Sequence, residues 1–364
     1  MKQYLLDIGR LTCVVVCASL SGLLFLQLGL PAPFLLGATF GVWAVTALIK
    51  PVRPYMAVPR WFHKGVILGL GTLIGATFVP EIIDRLADYP VTVTAVLVTS
   101  VVATLAGAAF LIYVRGYEQR LAFFCALPGG QAELLAIARE TVDKDYVVAL
   151  CHLMRVAFVF CSVPIVLALV EGQEAVAASN SNLQNLPGLF ELPPLVLLQF
   201  FGTAVVGYCI AKLIRLPMPH MLGPLLTSMA CHLLGLFEFP RIYEFVFLAQ
   251  VTIGGAVGAR LGQVDFRELA GYLIDAFLNL AIILAIFLAG AWITSLLVDI
   301  DIINLMLAYI PGGLYEVTVL SLVFGFDIAF VATHHVARVL LVLGTIAWLP
   351  VGLKKEPEGS GNPR

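Results

Sequence analysis

Charged residues are scarce in this sequence. Asp, Glu, Lys and Arg make up 12% of its 364 residues, whereas about a quarter is usual for a soluble domain. Hydrophobic residues reach 60%, and a water-soluble fold could not hide that much apolar surface. No separate soluble domain is present, because the longest polar segment spans only residues 171–192. The composition therefore predicts that the lipid bilayer is the solvent of this protein.

Several familiar site signals are also missing. No basic block is interleaved with aromatic residues, so we predict no nucleic-acid partner. The sequence has no ATP-binding P-loop. Its seven cysteines lie in or beside apolar runs without CxxC spacing, which disfavours zinc and redox sites. Its six histidines are scattered, whereas copper or iron oxidation needs clustered ligands. We predict no cofactor, no metal and no enzymatic activity.

The chain repeats itself at a distance of about 183 residues, which is the signature of an internal duplication. LPAPFLLG at 30–37 returns as LPMPHMLG at 216–223, and LPGGQAELL at 127–135 returns as IPGGLYEVT at 310–318. Each PGG segment is followed by a glutamate, a histidine and an arginine at matching positions. The repeat pairs Pro128, Gly129, Gly130, Glu133, His152 and Arg155 with Pro311, Gly312, Gly313, Glu316, His335 and Arg338.

Apolar runs predict five membrane spans in each half. They lie near 11–30, 33–49, 65–80, 90–114 and 146–170, and near 193–211, 217–236, 244–259, 271–298 and 328–352. The predicted fold is an all-α polytopic membrane protein of about ten transmembrane helices, with two re-entrant hairpins at the PGG segments. Its parts are a first repeat at 1–170, an extracytoplasmic linker at 171–192, a second repeat at 193–353 and a cytoplasmic tail at 354–364.

Five crossings per half would place the two repeats in opposite orientations, since an odd number of spans inverts the second copy. With the amino terminus inside, the basic loops at 50–64 and 115–120 are cytoplasmic, while their counterparts in the second half carry few basic residues. Positive residues concentrate on the cytoplasmic side. If the PGG segments crossed fully, the halves would be parallel and these loops would divide between both sides. We expect inverted repeats with both termini in the cytoplasm.

A Pro-Gly-Gly sequence inside an apolar segment interrupts a helix, because proline lacks the N–H donor and glycine adds backbone freedom. At membrane depth such a break is tolerated only when it is buried in protein or lines a wet cavity. The restarted helix points free N–H groups into that space. Two breaks entering from opposite faces could therefore form an anion site near the midplane. The alternative is a simple packing kink.

Charged side chains follow each PGG segment. Glu133 and Glu316 lie in the first turn of the restarted helix, where they could carry a coupling proton or bind a cation, or could only cap that helix. Arg155 and Arg338 each share one helix face with the histidine three residues earlier. A buried arginine needs an anion, which could be a substrate carboxylate or the two glutamates in fixed structural pairs.

The third span of each half is rich in glycine. Such a pattern is typical either of close helix packing or of an interrupted helix at a binding site. Thr72 and Thr252 could line a path there. The glycines concerned are Gly65, Gly69, Gly71 and Gly75 in the first half, and Gly254, Gly255, Gly258 and Gly262 in the second.

The PGG-x-x-E segment, the later His-x-x-Arg and the duplication resemble the AbrB-type bacterial inner-membrane family over residues 11–353. That family is distinct from the soluble DNA-binding regulator of the same name, and it is also labelled as an ammonia monooxygenase or as a regulator of other genes. The resemblance implies a transporter-like inner-membrane protein. One departure is that the family's Gly-x-Asp is present at Gly325–Asp327 but reads Val142, Asp143, Lys144 and Asp145 in the first copy.

These features together favour a secondary transporter of a small solute, such as an organic anion, driven by protons or another ion. Its substrate site would lie at the midplane between the PGG segments. The alternatives are a membrane regulator or sensor without transport, and a membrane monooxygenase, as one family label suggests. Expected partners are lipid, the solute and protons. A homodimer would suit an elevator mechanism by analogy with other folds.

Overall fold

The structure is a computed structural model that describes residues 2–80, 89–129, 131–265, 267 and 269–347. These residues form fourteen α-helices and no β-strand. The first half contains α1 (Lys2–Gln27), α2 (Pro33–Leu48), α3 (Arg60–Gly75), α4 (Tyr89–Ala109), α5 (Gln119–Ala126), α6 (Gln131–Thr141) and α7 (Asp145–Gln184). The second half contains α8 (Pro194–Leu213), α9 (Pro219–Leu233), α10 (Tyr243–Gln263), α11 (Ala270–Ser295), α12 (Ile302–Tyr309), α13 (Leu314–Phe324) and α14 (Ile328–Ala347). Gly130, the side chain of Glu133 and residues 348–364, which include the predicted tail, lie outside the described residues.

Seven helices of the described chain are long and apolar enough to cross a membrane: α1, α4 with its π-helical extension Phe110–Val114, α7, α8, α10, α11 and α14. Their outer faces carry large apolar side chains. Leu20, Leu105 and Leu198, for example, are 63%, 61% and 69% exposed. A continuous apolar exterior of this kind is stable against lipid and not against water. The molecule is therefore an all-α polytopic membrane protein, as the sequence predicts.

The three other predicted spans form short helices. α2 and α3 have nearly the lengths predicted for 33–49 and 65–80, although α3 begins five residues earlier, whereas α9 is five residues shorter than the predicted span 217–236. α2 and α3 have 16 residues each and α9 has 15, so the longer ones extend about 24 Å, less than the apolar thickness of about 30 Å. α2 begins at Pro33 after Ala32, whose φ is 43°, and α9 begins at Pro219 after Met218, whose φ is 48°. A left-handed residue cannot continue an α-helix, so α2 and α9 cannot extend toward the helices that precede them in the sequence.

The polar segment 171–192, predicted as a linker, is helical over much of its length. α7 continues to Gln184 and changes direction at Gly172, whose φ of 84° and ψ of 175° lie outside the helical range. Alanine and glutamine in this stretch favour helix, so the segment predicted as a linker begins as a continuation of α7.

The two halves are interleaved. α2 of the first half packs on α10 of the second half. Gly254 and Gly258 of α10 lie directly against the backbone of Leu35 and Thr39 in α2, and small residues permit such close helix contacts. The contact positions advance together along both helices, so α2 and α10 run in the same direction.

The symmetry-related pair, α3 and α9, repeats this arrangement. Gly71 lies against the backbone of Met221, and Gly75 against that of Leu225. Ser228 Oγ of α9 also donates a hydrogen bond to the Thr72 carbonyl of α3 over 2.8 Å. These glycines of the third spans thus serve close helix packing, one of the two roles that the sequence left open for them.

Equivalent helices of the two halves run antiparallel where they meet. Gly107 near the end of α4 faces Asn279 and Ile283 near the start of α11, whereas Thr99 faces Gly290. α3 and α10 are opposed in the same way, since Gly69 lies against Phe245 at the start of α10 and His63 lies within electrostatic range of Arg260 near its end.

Replacing Gly258 by alanine should destabilise the protein. The new Cβ would collide with the Thr39 carbonyl oxygen, and overpacking of this kind costs about 1–3 kcal/mol. The matched control is Gly202→Ala in α8, because a Cβ at Gly202 meets nothing within 4 Å. Thermal unfolding in detergent should show a lower melting temperature for Gly258→Ala only. Equal melting temperatures would mean that α2 and α10 are not packed as described.

Candidate functional site

Both PGG segments interrupt a helix at the same position of the repeat. α5 ends at Ala126 and α12 ends at Tyr309. The next residues, Leu127 and Ile310, have extended backbone with ψ of 124° and 135°. The helices on either side have eight and eleven residues, or about 12 and 16 Å. None of them could cross a bilayer alone.

Each pair of short helices forms a hairpin. α5 runs beside α7 in the same direction, because Phe124 and Leu127 contact His152 and Arg155 in that order. α7 begins at Asp145, which precedes Arg155 along the same helix. Between the end of α5 and the start of α7 the chain must therefore run back in the opposite direction. α6 makes this return. Corresponding contacts of α12 with α14 give α13 the same role, so both hairpins enter and leave on one side.

A histidine and an arginine bind the free carbonyl groups at each break. In the second half His335 Nε2 donates to the Leu307 carbonyl over 3.0 Å, and Arg338 donates to the carbonyls of Ile310 and Gly312 over 2.9 and 2.8 Å. Arg338 also donates to His335 Nδ1 over 2.7 Å. Because a carbonyl can only accept, the proton of this imidazole lies on Nε2 and leaves Nδ1 as the acceptor.

The first half contains the same arrangement. His152 Nε2 donates to the Phe124 carbonyl over 3.0 Å, Arg155 donates to the Leu127 carbonyl over 2.8 Å, and Arg155 also donates to His152 Nδ1 over 2.6 Å. All four side chains of the two pairs are buried. We call His152 with Arg155 the first clasp, and His335 with Arg338 the second clasp.

The second clasp corrects one sequence-based expectation. Structural pairing of the arginines with the PGG glutamates was one of two options, but within the described part of the chain no ion pair joins Arg338 to Glu316. Arg338 binds backbone carbonyls instead, since a broken helix leaves several acceptors that a guanidinium can reach at once. In the first half Arg155 likewise binds Leu127, while the Glu133 side chain lies outside the described residues.

Glu316 lies at the restart of the second broken helix. Its side chain is buried, and its carboxylate folds back over Gly313, the residue that precedes α13. This is the capping position that the sequence suggested. Its Oε2 atom nevertheless has no hydrogen-bond partner. The carboxylate therefore lies at the start of α13 with one buried oxygen that is free to bind a proton or a cation.

The two breaks converge at the centre of the molecule. Gly312 lies against Val159 of α7, and Gly129, whose φ is 117°, lies against Val339 of α14. Each hairpin tip thus contacts the helix that carries the clasp of the other half. Arg155 and Arg338 are within electrostatic range of each other. Of the residues predicted from the repeat, the structure brings the described PGG residues and both clasps to this one place.

A second polar site lies at the base of the first hairpin, in a cavity of about 520 Å³. Buried Asp275 of α11 forms an ion pair with Arg115 and accepts a hydrogen bond from the Tyr117 hydroxyl over 3.0 Å. Burial, together with this hydrogen bond, raises the pKa of Tyr117. Lys144 donates to the Tyr272 hydroxyl over 3.1 Å. These contacts tie α11 to the chain segments that flank the first hairpin.

Sequence reasoning did not identify Asp275 as a site residue. The available signal was a single carboxylate inside the apolar run 271–298, since ionisable residues within membrane spans are rare and usually functional. Gln250 is a similar case: its side chain is fully buried in α10, and neither its amide oxygen nor its amide nitrogen has a partner.

The fold and site define a class, namely an all-α polytopic membrane protein with two broken-helix hairpins that meet at its centre. The chain belongs to the AbrB family, because residues 34–351 match the family described as "Transition state regulatory protein AbrB". It is similar to the protein named "Uncharacterized protein YhjN" of Bacillus subtilis (strain 168), with 24% identity over 91% of this chain and 90% of that protein. It is also similar to "Putative regulator AbrB" of Escherichia coli (strain K12), with 25% identity over 88% of this chain and 90% of that protein.

Replacing Arg338 by glutamine should strongly destabilise the protein. The change removes the donors to three carbonyls at the second break, those of Tyr309, Ile310 and Gly312, and each buried acceptor left unsatisfied costs about 1–3 kcal/mol. Thermal unfolding should show a far larger loss than for Arg139→Gln, a matched change at a side chain that is 70% exposed. Wild-type stability of the Arg338 variant would contradict the clasp and leave the arginine available for a ligand.

Proposed function

We propose that this protein is a secondary transporter of a small organic anion, coupled to protons or another ion, and not an enzyme. The observation that carries this proposal is the convergence of two broken helices on a buried centre that contains two arginines. Discontinuous helices that meet at the midplane are the usual substrate site of transporters built from repeats. A rigid structural protein has no comparable need for two helix breaks in lipid, where each unpaired backbone group is costly.

The substrate class follows from the charge at this centre. Arg155 and Arg338 are both buried, and their described partners are carbonyls and histidines. Arg338 Nε also has no hydrogen-bond partner. Two nearby guanidinium groups that pair with no carboxylate among the described side chains favour an anion, and the N-termini of the restarted helices add to the same field. We therefore place the anion between the hairpin tips.

Glu316 is the residue that we propose for ion coupling. A carboxylate that is buried with an unpaired oxygen is costly in its charged form unless a proton or cation neutralises it. The positive charge of that proton and the negative charge of the bound anion would partly neutralise each other. By the repeat, Glu133 has the corresponding role in the first half.

An inverted arrangement of the halves in the membrane is the second part of the proposal. It is supported by the antiparallel contacts of α3 with α10 and of α4 with α11, since these are equivalent helices. The distribution of basic loops supports cytoplasmic termini. We place the protein in the bacterial inner membrane, where lipid, the solute and protons are its partners, and where a homodimer would suit an elevator mechanism.

A membrane regulator is the second candidate, favoured by the words "regulatory" and "regulator" in the family description and in the name of the Escherichia coli relative. A regulator of this architecture would sense a solute without moving it. Transport measurements distinguish the two, because both candidates bind a solute and only the first carries it across a bilayer.

The topology predicts where the segment before α8 lies. Phe190 is 96% exposed, and with five crossings in the first half it faces the outside of the cell. In a variant lacking the seven native cysteines, Phe190→Cys should react with a membrane-impermeant maleimide in intact spheroplasts. Tyr55→Cys, in the basic loop between α2 and α3, should react only after the membrane is permeabilised. Six crossings per half would place Phe190 inside and reverse the first result.

The transport proposal predicts anion-dependent proton uptake in proteoliposomes. Wild-type protein should move protons with at least one member of a panel of small carboxylates. Glu316→Gln should reduce this movement to background while leaving the protein folded, because glutamine keeps the size of the side chain and cannot exchange a proton. The matched control is Glu238→Gln at an exposed loop position. A fully active Glu316 variant would restrict Glu316 to helix capping. If oriented wild-type protein moves no protons with any member of the panel, the regulator is the favoured function.

A further inference from the structure

A second, smaller cavity lies away from the two clasps, between the amino-terminal end of α3 and the carboxyl-terminal end of α10. Its volume is about 310 Å³, which is at the lower end of the range for small-ligand sites, about 300–1,000 Å³. The side chains of Ala256 and Ala259 form part of its wall. Small residues at these positions leave the space open between two tightly packed helices.

The cavity is lined by basic groups. Arg60, His63 and Lys64 contribute from α3, and Arg260 contributes from α10, whereas no acidic residue is among its described lining side chains. Arg60, Lys64 and Arg260 are exposed at its mouth. Positive charges that surround a concave site raise the local concentration of anions.

The Arg260 guanidinium is free to bind a ligand. It forms no hydrogen bond or ion pair with the described residues. Capping of the α10 carboxyl terminus does not require it either, because Arg53 donates to the Gly262 carbonyl over 2.6 Å. Arg260 is thus an unpaired cation on the wall of a cavity, and a guanidinium is suited to bind a carboxylate or phosphate through two parallel hydrogen bonds.

The inner end of the cavity borders the second hairpin. The His63 ring packs edge-on against Tyr315 with centroids 6.3 Å apart, and Arg260 is within electrostatic range of the adjacent Glu316. Thr252 lies on the same stripe of α10 as Ala256 and Ala259, at a spacing of four and then three residues. Its buried hydroxyl has no hydrogen-bond partner. The unpaired Thr252 hydroxyl and the unpaired Glu316 Oε2 therefore lie inward of the cavity.

We propose that the cavity between α3 and α10 is a binding site for small organic anions, in which the Arg260 guanidinium binds the carboxylate or phosphate group. Arg60 and Lys64 attract the anion at the mouth, and His63 and Thr252 provide polar contacts further in. This site rests on its own geometry and binds anions whether or not the protein transports them. Where transport occurs, the site is the cytoplasmic entrance to the centre between the hairpins.

The test is direct binding to the purified full-length protein in nanodiscs of zwitterionic phosphatidylcholine. Succinate, benzoate and inorganic phosphate are compared with the neutral amides succinamide and benzamide by calorimetry and thermal unfolding. At least one acid should bind and raise the melting temperature, and the amides should not. Arg260→Gln should weaken binding by about tenfold or more, as expected for the loss of a charge-assisted hydrogen bond. Arg260→Lys should retain part of the affinity.

Lys50→Gln is the matched control, since it removes one exposed cation from the loop after α2 without touching the cavity lining. Its affinity should equal that of wild type. The proposal is overturned if acids and amides bind alike, or if Arg260→Gln binds the acids as well as wild type does. A lipid headgroup offers the same phosphate chemistry, so stabilisation only by phosphatidylglycerol, with no response to soluble acids, would also overturn it.

Binding and transport can fail separately. Anion binding that depends on Arg260, found together with no uptake into proteoliposomes, would keep this site and remove the proposed transport. If the wild-type protein shows uptake but no measurable anion binding, and uptake persists in Arg260→Gln, transport would be kept and this site removed.

Discussion

Unpaired carbonyl groups at the ends of two broken helices are the constraint on which this structure depends. In lipid an unsatisfied backbone group costs several kcal/mol, and Leu127 and Tyr309, which lie at the two breaks, are buried. A buried histidine and arginine from the following long helix supply the missing donors in both halves. The clasp fixes each hairpin beside one helix and at one depth. The position of the hairpin tips, and therefore of the centre that they enclose, follows from this requirement.

The residues at this centre could be identified from the sequence, but not all of the contacts that they make. The repeat placed the PGG breaks and the His-x-x-Arg pairs together, and the structure agrees. The sequence shows only side chains, and among them Glu316 was the evident anionic partner for Arg338. The actual acceptors are backbone carbonyls, which no sequence pattern reveals. The position of α3 also escaped prediction. The helix begins at Arg60, because it includes polar and basic residues that lie ahead of the apolar run 65–80.

The two halves share the clasp but differ around it. Asp275, which joins the polar network at the base of the first hairpin, corresponds in the repeat to Thr92, which contacts His334 instead. Arg260 corresponds to Thr77. The two copies therefore share one backbone arrangement but carry different polar side chains at corresponding positions. Such asymmetry suits a protein that meets different solutions on its two sides, because the backbone requirement in lipid is the same in both halves while the charges near water are not.

The interleaving of the halves also constrains how the protein is made. The glycine faces of α10 close on α2, and those of α3 close on α9, so each half provides the packing surface of the other. During translation α2 and α3 enter the membrane well before their partners have been synthesised. The first half then exposes helix faces that are shaped for another helix and not for lipid. Assembly is completed only after the second half has been inserted, so the two copies fold as a single unit.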